Sequence, residues 1–156
     1  MIVTCEPFNR KLFDEILPLA KKCWAESTAE KAETCAFYGE REFEIEPDFE
    51  AYERLGEALL IVALRKEGVL VGYVIGFSYK ALHHKHILGA IADNTYVEPE
   101  LRSYAPVIAK RFEKEMKYRG VGIIGWPAHP NSPLYGMLES MGYVGDDVVM
   151  EKRLAR

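Results

Sequence analysis

Residues 58–97 hold three successive stretches with strand character, and this block confines the chain to folds built around a sheet. Ala58 to Leu64 (ALLIVAL) is a short continuous apolar run, the pattern of a buried strand. Arg65-Lys66-Glu67-Gly68 is a turn. Val69 to Tyr79 (VLVGYVIGFSY) is rich in β-branched and aromatic residues, so the two runs are expected to pair as an antiparallel hairpin. Leu82 to Ile87 (LHHKHI) is polar and connects to a third strand, Leu88 to Val97 (LGAIADNTYV). The polar pair Asp93-Asn94 inside that apolar strand points to a bulge or a site.

The flanking segments change to helical spacing. Phe8, Leu12, Ile16, Leu19 and Cys23 recur every three or four residues, which predicts a helix from about Asn9 to Trp24, with Pro18 inside it as a source of a kink. Ser27 to Glu46 is polar and weakly periodic and reads as a loop with room for a short helix. Pro47 and the acids after it open a helix from about Asp48 to Leu55, stopped by Gly56. Ser103 to Arg119 is amphipathic, with Ala105, Ile108, Ala109, Phe112 and Met116 on its apolar face and Gly120 as its stop. Val121 to Trp126 reads as a strand. Asn131-Ser132-Pro133 caps a short helix with Leu134, Met137, Leu138 and Met141 on one face, ended by Gly142. Tyr143-Val144 and Val148 to Leu154 read as strand pieces around Gly145-Asp146-Asp147. The order is α, α, β, β, β, α, β, α, β. The helix between the third strand and Val121–Trp126 makes a crossover, so those two strands are expected to be parallel. The result is a mixed α/β sheet with helices on both faces, in one domain over residues 1–156.

Composition removes several classes of function. The formal net charge is -4, and the basic clusters Lys21-Lys22 and Lys110-Arg111 sit in Glu-rich helical patterns, so no nucleic-acid partner is expected. No stretch approaches the roughly 18 apolar residues of a membrane span, and the N-terminal residues lack the apolar run of a secretory signal. Cys5, Cys23 and Cys35 cannot all pair and match no metal motif, which fits a reducing cytoplasm.

From Leu88 onward the chain resembles the GNAT acyltransferases. In that family a strand ends in a V-x-P-E-x-R-type phrase, and a phosphate-binding loop of pattern R/Q-x-x-G-x-G/A opens a helix. Here the text is Val97-Glu98-Pro99-Glu100-Leu101-Arg102-Ser103-Tyr104-Ala105-Pro106-Val107. A second family block, N-x-x-A-x-x-x-Y-x-x-x-G-F, is met by Asn131 with Gly142-Tyr143 eleven residues on. The likeness covers about 65 residues and implies a mixed, mostly antiparallel sheet flanked by helices on both faces. It implies acetyl-CoA as co-substrate, a primary amine of a small molecule or a protein lysine as acceptor, and a homodimer as a common state. Arg102, Ser103, Tyr104, Ala105 and Val107 would hold the pyrophosphate on amides left unpaired at the helix start. Thr95, Tyr96 and Val97 would offer backbone groups to the thioester and pantetheine arm, with Asn131 beside the cofactor.

The sequence departs from the family at three points. Ala105 and Val107 replace the loop glycines, and a β-carbon narrows the approach of phosphates. Pro106 removes one N–H donor. Leu138 stands where the family tyrosine protonates the departing thiolate, with Tyr135 one turn earlier as a substitute. For the base that takes the amine's proton, Asp93 is the candidate, since a half-buried strand carboxylate can accept a proton near neutral pH; Glu98 follows the strand and ranks below it. His83, His84 and His86 read as a polar connection at the cleft rim, and Trp24 to Tyr38 as an acceptor-facing segment. The alternative is a GNAT-fold protein that binds without catalysing.

Overall fold

The computed structural model describes residues 1–31, 45–82, 85–130 and 132–145. Strand β2 (Leu59–Lys66) and strand β3 (Val69–Lys80) form the expected hairpin. Glu67 and Gly68 at its tip both have positive φ, 52° and 85°, as a two-residue turn matched to strand twist requires. Strand β4 (Leu88–Val97) has the bounds read from the sequence and pairs antiparallel with β3. Strand β5 (Ile123–Gly125) is parallel to β4, as the crossover rule demands, and is shorter than the stretch expected from Val121 to Trp126.

One further strand was not read from the sequence. Strand β1 (Ile2–Cys5) pairs antiparallel with β2 and completes the sheet order β1-β2-β3-β4-β5. Four residues on a partly exposed edge carry too short an alternation to stand out.

Helix α1 (Arg10–Lys31) starts where Asn9 Oδ1 accepts the Leu12 N–H at 2.9 Å. It runs on through Pro18 and past Trp24, so the first residues of the loop expected from Ser27 are helical. Helix α2 (Phe49–Leu55) is capped by Asp48, whose side chain accepts the Ala51 N–H, and ends at Gly56 with φ 52°. Pro47 therefore lies outside the helix, before the cap, and not in its first turn. Helix α3 (Ala105–Tyr118) begins two residues later than expected because a 3-10 turn, Pro99–Tyr104, precedes it. Helix α4 (Pro133–Ser140) takes its cap from Ser132, whose Oγ accepts the Tyr135 N–H at 3.2 Å. Tyr143 and Val144 are not in a strand. Asn131 and the stretch expected as the last strand, Val148 to Leu154, lie outside the described residues, as do Cys35, Phe37, Tyr38, His83 and His84.

The continuous apolar run of β2 is explained by cover on both faces. Ile61 and Ala63 face Leu12, Ile16 and Leu19 of α1, while Leu60, Val62 and Leu64 face Ile108, Phe112 and Met116 of α3. Gly76 is demanded by this packing. A β-carbon there would lie 2.3 Å from the Ile91 carbonyl oxygen and 2.7 Å from the Phe112 ring. Gly76→Ala is expected to cost about 2–3 kcal/mol, the range of overpacked cores. That is a fall of roughly 5–10 °C in melting temperature for a chain of this size. Thermal unfolding followed by circular dichroism measures it, and an unchanged melt would show that β3, β4 and α3 are not packed this closely.

Candidate active site

The ladder between β3 and β4 slips by one residue. Ile75 faces Asn94 while Gly76 faces Ala92, which leaves Asp93 as the extra residue of a β-bulge. The polar pair noted in the sequence thus marks a bulge. Asp93 is exposed there, not half-buried, because the bulge turns its side chain away from the pleat. Tyr52 of α2 donates its hydroxyl to Asp93 Oδ2 at 2.9 Å. Burial, and then the nearby Asp93 charge, push the Tyr52 phenol well above its ordinary range, so it stays a donor. Next along the strand, the Tyr73 hydroxyl donates to Asn94 Oδ1.

Beneath the bulge lies a small pocket lined by Phe13, Ile16, Ile45, Pro47, Tyr52, Tyr73, Ile75 and Asn94. Its walls are apolar, and its polar atoms come from the two tyrosines and Asn94. It sits between α1, α2 and the face of the sheet they cover. The sequence did not single out Tyr52 beyond its being aromatic, since its link to Asp93 spans 41 residues.

Past the bulge, no described strand pairs with the side of β4 that faces away from β3. β5 pairs with β4 as far as Ile91 and no further among the described residues. Glu98 N–H donates to the Val71 carbonyl across to β3 at 2.9 Å. By antiparallel alternation, Tyr96 and Asn94 direct their backbone groups to β3, and Thr95 and Val97 direct theirs to the opposite side. The Thr95 carbonyl accepts the Cys23 thiol at 3.5 Å, a weak contact. Thr95 Oγ1 is buried with no hydrogen-bond partner among the described residues. A buried hydroxyl left unpaired is costly and suits a place that a ligand completes.

The turn after β4 differs from the expected open loop. Leu101 N–H bonds the Glu98 carbonyl at 2.8 Å and Ala105 N–H bonds the Arg102 carbonyl, so the 3-10 turn consumes amides that an open loop would leave to a phosphate. Pro106 has none to give. Helix α3 has no side-chain cap, so its positive end is not neutralised by its own chain. Arg102 and Ser103 are exposed, Tyr104 and Ala105 are half-buried, and the Val107 side chain is exposed. The turn carries the Arg102 cation, ion-paired with Glu26, and the helix start in place of a glycine cradle.

On the far side of β5, Trp126 Nε1 donates to Tyr143 Oη at 2.9 Å, and the Trp126 ring meets Phe112 edge-on. Leu138 is buried, at 4% exposure, and faces the core. Tyr135 is half-buried, with its hydroxyl over Gly145, where a β-carbon would come within 2.3 Å of it. His86 is exposed on the connection between β3 and β4. Trp24 is half-buried on α1. No group of three or more His, Cys, Asp or Glu among the described residues could hold a metal ion, and no described helix is long and apolar enough to cross a membrane.

No protein-family profile and no curated protein matches the sequence. Solved structures do match in shape. A tetramutant of the BH1408 protein from Bacillus halodurans superposes with a TM-score of 0.77 at 14% identity, over 99% of this chain and 100% of that one. A ribosomal-protein-alanine N-acetyltransferase from Brucella melitensis biovar Abortus 2308 gives 0.65 at 18% identity, over 99% and 100%. The aminoglycoside N-acetyltransferase AAC(6')-Iy, in complex with a bisubstrate analog, CoA-S-monomethyl-acetylneamine, gives 0.67 at 12% identity, over 100% of both chains. With five described strands in a mostly antiparallel sheet, a bulged fourth strand and a parallel fifth, the chain has the GNAT fold.

Proposed function

We propose that this chain, as one GNAT-like domain, transfers an acetyl group from acetyl-CoA to a primary amine, on a small molecule or a protein lysine, by direct attack in a ternary complex. The observation that carries the reading is the placement of the Asp93 bulge directly before the last residues of β4. One side of that strand offers a carboxylate beside an apolar pocket, and the other offers backbone groups that no described strand pairs, beside a helix start. The fold is shared with proteins whose structures contain CoA or a CoA-linked analog, which supports the same donor here.

In this reading acetyl-CoA supplies an acetyl group activated as a thioester. The chain's own residues do the rest. Asp93 accepts the proton that the attacking amine must lose, and Tyr52 holds that carboxylate in place. The small apolar pocket under the bulge lies beside the acceptor's amine and keeps that side of it dry. Thr95 and Val97 hold the donor arm along β4, and a backbone N–H there meets the developing oxyanion. Holding both reactants together lowers the barrier without further chemistry. Tyr135 is the α4 hydroxyl available to protonate the leaving thiolate, since Leu138 cannot. Arg102, Ser103, Tyr104, Ala105 and Val107 face the pyrophosphate, and Tyr96 lies in the strand that carries the donor arm.

A second reading, a binding module without catalysis, is favoured by the buried Leu138 and by the amides lost to the 3-10 turn. Thiol release from acetyl-CoA, followed over a panel of primary amines, separates the two. The enzyme reading expects saturable, amine-dependent release. No release with any amine, while CoA still binds, would leave the module.

A further inference from the structure

Arg102 is the one cation in residues 98–107, the stretch that joins β4 to α3. Its guanidinium does not stand free toward the helix start. It is paired with Glu26 of α1, with the two side chains 46% and 45% exposed. Beside this pair, Lys22 Nζ lies 2.5 Å from Glu98 Oε1. The Tyr96 hydroxyl sits between the two carboxylates, 3.4 Å from Glu26 and 3.3 Å from Glu98, in weak hydrogen-bond reach of both. Two cations and two carboxylates thus ring a buried phenol and tie the second half of α1 to the turn.

Resting on the donor proposed above, we infer that Glu26 restrains donor binding by occupying the arginine that the diphosphate needs. With glycines absent from the turn, Pro106 lacking a donor and two amides bonded within the turn, the phosphate end depends on Arg102 more than an open loop would. An ion pair this exposed is weak and exchangeable. A diphosphate offers Arg102 a stronger, two-point partner. Breaking the pair subtracts from the affinity gained, and the Glu26 charge repels the phosphates as well. Both effects have the same sign, so removing the Glu26 charge should tighten CoA binding. If Glu26 instead held Arg102 in the pose that phosphate uses, the same change would loosen it.

Calorimetric titration of CoA onto the full chain decides between these signs. Glu26→Gln is expected to bind CoA about 2–5-fold more tightly than wild type. Glu115→Gln, the same charge change near the far end of α3, should bind as wild type does. In an Arg102→Ala background, which is itself weakened, Glu26→Gln should bring no gain. Melting curves without ligand confirm that each variant is folded. Equal or weaker binding by Glu26→Gln overturns this inference alone. Failure of the wild type to bind CoA removes the proposed donor and this inference together.

Discussion

Asp93→Asn is expected to lower the turnover number for amine acetylation about 100-fold or more, the usual contribution of a positioned general base. Asparagine keeps the size of the side chain and can still meet the Tyr52 hydroxyl, but it cannot take a proton from the ammonium. Asp93 is exposed on a bulge, outside the buried core, so the fold should survive the change. The donor lies along Thr95 and Val97 in this account, on backbone groups that the substitution leaves alone. Steady-state kinetics together with CoA titration therefore give a defined pattern: a large loss in turnover with donor affinity within about twofold. A variant with wild-type turnover would take the base away from this strand.

Phe112→Ala is expected to destabilise the fold by about 3–5 kcal/mol, the cost of emptying a buried aromatic site. Phe112 has 0% exposure and joins three parts of the structure. Its ring fills the space over Gly76 that a β-carbon would take, meets Trp126 at a centroid distance of 5.7 Å, and belongs to the core shared by β2, β4 and α3. The melting temperature should fall by on the order of 10 °C. Denaturant unfolding checks it, and a loss below about 1 kcal/mol would contradict the packing of α3 on the sheet.

Long, self-contained patterns were legible in the sequence. β4 matched from Leu88 to Val97 because its apolar run has clear ends, and Asp93-Asn94 flagged the bulge because polar residues in such a run need a reason. The parallel fifth strand followed from the helical crossover that precedes it. What escaped was either short or distant. β1 has four residues. The 3-10 turn at Pro99–Tyr104 replaces an expected open loop because Pro99 and Pro106 preset helical φ on both sides of it, a local effect that family spacing does not show. The site's links, Tyr52 to Asp93 and Glu26 to Arg102, join residues 41 and 76 positions apart, and no periodicity in one sequence connects them. The same limit hides the small pocket: it is built from α1, α2, β3 and β4 together, and its walls are ordinary core residues when read one at a time.

The central claim is that the edge of β4 past its bulge and the start of α3 hold a nucleotide thioester. Titrating acetyl-CoA onto the wild-type chain by calorimetry tests it most directly. The account predicts saturable binding of one molecule per chain, weakened at least several-fold by Arg102→Ala. Heat no greater than dilution, at concentrations where the chain is folded, would contradict it and leave the GNAT fold without its donor.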